Sequence, residues 1–339
     1  MALFDVRALE VPIVGAPMAG GPSTPQLAAA VTDAGGLGFL AGALLTADKL
    51  ADDIAVARSL TSGPLAVNLF VPQPDVGKPA EIAAYAEELG ALARHFGVEL
   101  GQPKYTDDDY AQKVEVLLDL RPELVSFTFG CADGADIKRF ADVGVATFGT
   151  VTTQAEAKEA VARGVDGLVA QGPGAGGHRG TFDPLARPST DSLETLVVAA
   201  GAISDVVVAA GGISTPHAVA TMLGLGAVAV QVGTALLLSD EAGTNPVSRA
   251  ALVDPQFTAT DVTRAFSGRY ARGLRNRFMQ NHELTAPLAY PQVHYLTGPL
   301  RKAAVAAGDP HATNHWAGTG FRDSRPGPAA DIVASLAGR

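Results

Sequence analysis

Short apolar segments alternate along this chain with longer segments in which apolar residues recur at helical spacing. The short segments are rich in Val, Leu, Phe and Ala with little polar alternation, as expected for strands buried on both faces. They predict eight strands, at residues 12–16, 37–40, 65–70, 124–127, 146–150, 167–171, 206–210 and 227–232. The helical pattern predicts helices at residues 24–34, 47–60, 134–143, 154–163, 192–202 and 215–223.

Three of these helices begin with capping signals. Thr24 precedes Pro25 and Thr215 precedes Pro216, so each offers an N-cap hydroxyl followed by the residue favoured at the first helical position. Thr153 and Glu156 have the spacing of a capping box. The alternation of elements predicts an α/β protein, and eight strands predict a closed (β/α)8 TIM barrel. An open, doubly wound sheet is the alternative.

Two parts of the chain exceed what a simple barrel needs. We expect the barrel to span residues 1–240 and to carry a long insertion at residues 72–121, after the third strand. Residues 241–339 predict a C-terminal extension that packs on the barrel and covers the site as a lid. The insertion predicts helices at residues 80–96 and 110–120, and the extension predicts helices at residues 246–252, 258–266 and 300–307.

Charge and cysteine content narrow the classes of function. Asp and Glu outnumber Lys and Arg by 35 to 25 in this 339-residue chain, and the net charge is −10. Nucleic acids and anionic membranes need a positive surface, so neither is an expected partner. Cys131 is the single cysteine, which excludes an internal disulfide, and no signal peptide or membrane-spanning segment is recognisable. A cytoplasmic protein is therefore expected, and the sequence leaves a homodimer open.

The glycine-rich segment at residues 170–180 is the most distinctive feature of the sequence. It follows a predicted strand and contains five glycines together with His178 and Arg179. Glycines let bare backbone approach a ligand closely, and the two side chains would lie beside whatever is bound. A flexible surface loop is the alternative. The position after a strand favours a site in which His178 acts as a base or as a hydrogen-bond donor.

Several other predicted strands end in residues suited to a phosphate and a flat heteroaromatic ring. Gly211, Gly212, Gly233 and Thr234 follow the last two strands, where barrels often bind phosphate through backbone N–H groups. Tight turns that require glycine are the alternative. The amides of Asn68, Gln171 and Gln231 both donate and accept, which suits an isoalloxazine, although each alone is more typical of a structural amide. Met18 and Ala19 follow the first strand.

Two further features narrow the choice of cofactor. No G-x-G-x-x-G segment stands at a strand-to-helix turn, which favours FMN over FAD or a tightly held NAD. The histidines show no metal-ligand spacing with Cys131 or with paired carboxylates, so no metal site is predicted. Cys131 itself is interpreted as a small buried residue.

These segments together resemble the nitronate monooxygenase family, once called 2-nitropropane dioxygenases. The matching segments are residues 12–21, 126–130, 171–180, 209–213, 231–234, 267–272, 296–301 and 316–318. The resemblance implies a barrel with non-covalent FMN held by Asn68, Gln171, Gly176, Gly212, Gln231, Val232, Gly233 and Thr234. Met18, Ala19, Gly177 and Gly211, which follow predicted strands, are also predicted to bind the cofactor. It implies that His178 is the catalytic residue in the oxidation of alkyl nitronates by O2 to carbonyl compounds and nitrite.

The chain departs from the family pattern at two positions. Gly174 replaces a glutamate that usually precedes Ala-Gly-Gly-His, and Thr128 stands where many members have a histidine. The resemblance implies a tyrosine-rich substrate wall, for which Tyr105, Tyr290 and Tyr295 are candidates beside Thr128. Two alternatives follow: an NAD(P)H-dependent flavin reductase acting on quinones or enoyl thioesters, and a catalytically silent FMN-binding protein.

Overall fold

The computed structural model describes residues 3–339 and contains eleven strands in two sheets. The strands are β1 (Ile13–Gly15), β2 (Gly38–Ala41), β3 (Leu65–Phe70), β4 (Leu124–Thr128), β5 (Ala146–Val151), β6 (Gly167–Gln171), β7 (Gly177–His178), β8 (Val207–Ala210), β9 (Ala229–Val232), β10 (Thr260–Thr263) and β11 (Ala271–Leu274). Eight parallel strands form one sheet in the order β1-β9-β8-β6-β5-β4-β3-β2. These eight are the strands that the apolar segments predict.

The two edges of the large sheet meet. Val14 of β1 forms a parallel bridge with Leu37, the residue before β2. The amide of Gly15 donates to the Leu37 carbonyl at 2.9 Å, and the amide of Leu37 donates to the Ile13 carbonyl at 3.1 Å. The fold is therefore a (β/α)8 barrel, and the open-sheet alternative is wrong.

Helices surround the barrel and continue through the insertion and the C-terminal region. They are α1 (Pro25–Asp33), α2 (Ala47–Leu60), α3 (Pro79–His95), α4 (Tyr110–Leu120), α5 (Gly134–Asp142), α6 (Gln154–Arg163), α7 (Leu193–Gly201), α8 (Pro216–Gly224), α9 (Pro246–Val253), α10 (Arg277–His282), α11 (Gln292–Ala306) and α12 (Ala329–Leu336). Thr24 and Thr215 cap α1 and α8 as predicted, and Thr153 with Glu156 forms the capping box of α6.

Two predictions about the C-terminal region are wrong. Residues 258–266 contain β10 instead of a helix, because Thr260, Val262 and Thr263 are β-branched and pair with antiparallel β11. The helix predicted at residues 300–307 begins already at Gln292 and runs through Pro299. No pattern in the sequence predicts β7. Its two residues form a strand because they pair with β11.

Alternate strand residues face opposite sides of the barrel wall, which separates the core into layers. Val67, Leu168 and Val230 pack outward against the helices. The neighbouring Ala66, Val169 and Ala229 fill the lower interior of the barrel. The next inward position on each strand, toward its carboxyl end, is polar: Asn68 on β3, Gln171 on β6 and Gln231 on β9. Because strand side chains alternate with a period of two, these amides lie in one layer above the apolar residues of the lower interior.

Asp108 joins a buried ion pair of the insertion to the barrel loop after β2. Lys113 of α4 is 1% exposed, and its Nζ lies 2.8 Å from the Asp108 carboxylate. Asp108 also accepts a hydrogen bond from the amide of Leu44 at 3.0 Å. Leu44 has a φ of +64°, a conformation that non-glycine residues rarely adopt. Asp108 therefore stabilises both the buried ammonium and the loop after β2.

Replacing Asp108 by Asn should leave the Lys113 ammonium buried without a counter-charge. Because removing one partner of a buried pair is strongly destabilising, we expect the free energy of unfolding to fall by about 3 kcal/mol. Asp109→Asn is the matched control, since Asp109 also has a positive φ but forms no ion pair among the described residues. Denaturant unfolding measures both, and equal stability of the two variants would contradict this role of Asp108.

Candidate active site

A cavity of about 440 Å³ opens at the carboxyl ends of the barrel strands. It brings together fourteen residues that the sequence singles out: Met18, Ala19, Asn68, Thr128, Gln171, Gly176, Gly177, His178, Gly211, Gly212, Gln231, Val232, Gly233 and Thr234. Its size and position match those of small-molecule sites in barrels of this kind. Residues from the C-terminal region, among them Ser267, His294, Arg301 and Trp316, form the rest of the wall.

The floor of the cavity is a hydrogen-bonded polar layer. The Asn68 amide donates to the Ser126 hydroxyl at 2.8 Å and to the Thr128 hydroxyl at 3.0 Å. Thr128 in turn donates to Thr150 at 3.3 Å. Thr128, where many family members have a histidine, therefore orients an amide here. Gln231 has no side-chain hydrogen bond within residues 3–339, so its amide is available to a ligand.

The glycine-rich loop is held by Gln171 and by the small sheet. The Gln171 side chain donates to the His178 carbonyl at 3.1 Å and accepts from the Gly180 amide at 2.8 Å. On the other side, His178 pairs with Ala271 in the β7–β11 register. The loop is consequently ordered, and the interpretation as a flexible surface segment is wrong.

The prediction that Arg179 lies beside the bound ligand is wrong, because Arg179 does not line the cavity. Its side chain is 1% exposed, and one Nη donates to the Gly172 carbonyl at 2.6 Å. Strand geometry explains this, because His178 and Arg179 are consecutive residues and point to opposite sides. Arg179 supports the loop from below, while His178 faces the cavity.

The hydrogen bonds of Ser267 favour one tautomer of His178. Its Nε2 lies 2.9 Å from the Ser267 hydroxyl, and the Arg269 carbonyl lies 3.2 Å from the same hydroxyl. A proton on Nε2 lets the hydroxyl accept from the ring and donate to the carbonyl, so that both hydrogen bonds form. Nδ1 then carries a lone pair, and it has no hydrogen-bond partner within the described chain.

Burial keeps this imidazole neutral. Desolvation, together with the charge of Arg269, lowers the pKa of His178 to about 3. Aromatic rings surround it at centroid distances of 5.3 Å for Tyr290, 5.7 Å for Trp316 and 5.8 Å for Phe129. A neutral imidazole with an open acceptor nitrogen can accept a proton from a bound carbon acid, although the lowered pKa makes it a weaker base than a free histidine.

Unpaired backbone donors lie at the ends of β8 and β9. Within residues 3–339, the amides of Gly211, Gly212, Gly233 and Thr234 donate to no protein acceptor. Gly211 and Gly212 have φ values of +115° and +75°, which L-residues with side chains rarely adopt. All four residues line the cavity, and converging free N–H groups of this kind favour an anion such as phosphate.

The charged residues of the cavity wall are all cationic. Arg301 and Lys302 of α11 line the cavity, whereas none of the lining residues in the described chain is Asp or Glu. Arg301 has neutral partners, donating to Asn314 at 3.0 Å and to the His294 carbonyl at 2.9 Å. Burial lowers its pKa to about 10, which leaves it charged near neutral pH. An acidic protein therefore has a locally positive cavity that suits anionic ligands.

The three candidate tyrosines have different surroundings. Tyr290 contacts His178, and burial raises the pKa of its phenol. Tyr105 is 42% exposed and donates to the Gln73 carbonyl at 2.7 Å. Tyr295 lies beneath Lys104, whose Nζ is 4.7 Å from the ring centroid. None of the three tyrosines lines the cavity, and only the Tyr290 ring contacts His178, so the predicted tyrosine-rich wall is not formed by these residues.

The sequence reasoning missed several residues of the site. Ser267 and Arg301 fall within segments that carry the family resemblance, but nothing in their local pattern indicates a role. His294 shows no motif, and only its position on α11, one turn before Gly298 and two turns before Arg301, brings it to the cavity. A helical-wheel analysis of residues 292–306 would have grouped these three.

The described residues form neither a metal site nor a reactive cysteine site. Within residues 3–339 no group of three His, Cys, Asp or Glu side chains could hold a metal ion. Cys131 is 3% exposed, and burial raises the pKa of its thiol to about 12. No helix in the same part of the chain is long and apolar enough to cross a membrane.

A barrel with a cavity of this size at its carboxyl end, a neutral histidine and free backbone donors has the layout of an enzyme that acts on small molecules. Comparison with known families makes this specific. The family model described as nitronate monooxygenase matches residues 4–338. The chain belongs to the nitronate monooxygenase family.

Individual relatives agree over nearly the full length. The nitronate monooxygenase of Pseudomonas aeruginosa is 39% identical over 97% of this chain and 95% of its own. A probable nitronate monooxygenase of Bacillus subtilis is 36% identical over 93% of this chain and 91% of its own. Among solved structures, nitroalkane oxidase from Streptomyces ansochromogenes superposes with a TM-score of 0.93 at 46% identity, covering 97% and 95% of the two chains. FabK from Thermotoga maritima superposes with a TM-score of 0.74 at 26% sequence identity, covering 98% of this chain and 93% of its own.

Close backbone packing against the C-terminal region explains the glycines of the loop. A Cβ on Gly176 would lie 2.6 Å from the Ala317 carbonyl carbon, and one on Gly174 would lie 2.7 Å from the Thr319 hydroxyl. The departure from the family at position 174 thus coincides with a close contact to the segment at residues 317–319.

Gly176→Ala should force the loop away from Ala317. We expect a loss of about 2 kcal/mol in the free energy of unfolding, as for other overpacking substitutions, together with weaker ligand binding in the cavity. Gly201→Ala is the control, because a Cβ there meets no atom within 4 Å. If thermal and denaturant unfolding show Gly176→Ala to be as stable as Gly201→Ala, the packing argument fails.

Proposed function

We propose that this enzyme uses non-covalent FMN to oxidise alkyl nitronates and neutral nitroalkanes with O2, giving carbonyl compounds and nitrite. The observation that carries the proposal is His178 with its free Nδ1 acceptor inside a cationic, acid-free cavity. The family assignment and the structural similarity to a nitroalkane oxidase support the same chemistry.

The residues of the cavity fit FMN. Backbone donors at Gly211, Gly212, Gly233 and Thr234 would hold the phosphate, with no charged side chain required. Gly177 leaves open space, since a Cβ built there meets no protein atom within 4 Å. Asn68, Gln171 and Gln231, with Met18, Ala19, Gly176 and Val232, would line the ring system. When bound, FMN would supply the electron-accepting chemistry and the reaction with O2.

The tautomer of His178 favours one of its two conceivable roles. A neutral ring that donates from Nε2 to Ser267 presents only an acceptor to the cavity. It can therefore take the α-proton of a neutral nitroalkane, whereas it cannot donate to a nitronate without first gaining a proton. Arg301 and Lys302 would then attract and stabilise the anionic nitronate. The aromatic residues around His178 would exclude water from the reacting carbon.

His178→Asn should retain FMN but lose most turnover, with neutral nitroalkanes affected more than preformed nitronates. Removing the general base is expected to lower kcat/KM for nitroethane by about 100-fold or more. Steady-state kinetics with nitroethane and with its nitronate measure both effects, and the flavin absorbance reports cofactor retention. Unchanged kcat/KM for nitroethane would eliminate His178 as the base.

An anaerobic titration of the flavin-loaded enzyme tests the reaction class. We expect reduction of the flavin absorbance by ethyl nitronate and none by NADH or NADPH. Rapid bleaching by a reduced nicotinamide, with no response to nitronate, would instead establish a flavin reductase. Failure of every donor despite bound flavin would indicate a binding protein without this chemistry.

A further inference from the structure

Arg269 is a buried cation without a counter-ion. Its side chain is 2% exposed and forms no ion pair within the described chain. One Nη donates to the carbonyl and hydroxyl of Thr181, while Nε and the other Nη have no partner. An unpaired buried guanidinium costs free energy, so its presence requires a reason. Arg269 does not line the cavity and therefore cannot touch a ligand there.

Two physical links join Arg269 to His178. The Arg269 carbonyl accepts the Ser267 proton at 3.2 Å, and Ser267 lies 2.9 Å from Nε2 of His178. The guanidinium also lies over the Phe129 ring, 3.8 Å from its centroid, and that ring meets His178 edge-on at 88°. Phe129 has a φ of +72°, a conformation that costs free energy in a residue with a side chain.

The charge of Arg269 acts on His178 through a region of low dielectric constant. A fixed positive charge next to a buried imidazole disfavours the imidazolium form. The other titratable groups that face His178 are Tyr290, from the segment before α11, and His294 and Arg301 of α11. None of these is anionic near neutral pH, because burial raises the pKa of the Tyr290 phenol. The carboxylates whose charges act on Arg269 are Glu156 and Asp183, and neither contributes to the pKa of His178.

We infer that Arg269 is a positioning residue that holds His178 neutral, with its proton on Nε2 and Nδ1 open to the cavity. The guanidinium provides the charge, the Phe129 ring fixes the orientation of the imidazole, and the backbone carbonyl selects the tautomer through Ser267. The catalytic consequence rests on the proposed function: the base would stay unprotonated well below neutral pH. The protonation state itself does not depend on which substrate the enzyme takes.

Nitrogen-15 NMR of the histidine rings tests this inference directly on the flavin-loaded enzyme. His178 is assigned by comparison with His178→Asn, and ring shifts are followed from about pH 8 to about pH 4. We expect the wild type to remain neutral and Nε2-protonated throughout. In Arg269→Met the pKa of the ring should rise by about one unit or more, so that protonation becomes visible at the acid end of this range. The acid limb of kcat/KM for nitroethane should move to higher pH by the same amount.

Two further variants make the test specific. Arg269→Lys keeps the charge and should behave as the wild type. Arg264 lies in the same segment, but its charge does not contribute to the pKa of His178. Arg264→Met should therefore leave the protonation of the His178 ring unchanged. If Arg269→Met does not fold, Arg269→Gln replaces it.

A charge-free variant at position 269 whose His178 stays neutral and Nε2-protonated down to about pH 4 would overturn the inference. Because the NMR result is independent of turnover, it stands or falls separately from the proposed reaction. Loss of nitroalkane oxidation with the expected NMR behaviour would count against the function alone.

Discussion

The pairing of β7 with β11 is the interaction on which the site depends. It consists of only two residue pairs, Gly177 with Arg272 and His178 with Ala271. Through it the C-terminal region fixes a glycine-rich loop that has few side chains of its own to pack. Without this pairing, the entropy of five glycines between residues 172 and 180 would favour a mobile loop and a His178 without a defined position.

The barrel contributes a polar layer on an apolar foundation. Strand periodicity directs Ala66, Val169 and Ala229 into the lower interior and Asn68, Gln171 and Gln231 into the layer above. The amides satisfy part of their hydrogen bonding within the protein, as when Gln171 holds the loop. The barrel therefore positions both the cavity floor and the segment that carries the candidate base.

Positive charge accumulates around the cavity of an acidic protein. Arg301 and Lys302 line it, Arg269 lies behind His178, and no carboxylate faces these groups from the cavity wall of the described chain. Desolvation is the largest cause of the lowered pKa of His178, and the charge of Arg269 lowers it further, while the cations of the cavity wall favour anionic ligands. The same electrostatic arrangement thus suits both a neutral base and the anion that a proton transfer would leave.

The sequence by itself determined the barrel, its eight strands and the position of His178 after β6, because strand and helix periodicities are local properties. It also indicated the fourteen cavity residues, since the carboxyl ends of barrel strands necessarily converge. Only the tertiary structure decided that Arg179 turns away from the cavity, that residues 260–263 form a strand, and that Ser267, Arg269 and Arg301 surround His178. The surroundings of His178 depend on contacts between residues about ninety or more positions apart, as for His178 and Ser267. The direction of Arg179 and the strand at residues 260–263 depend on strand pairing, which the local pattern does not record.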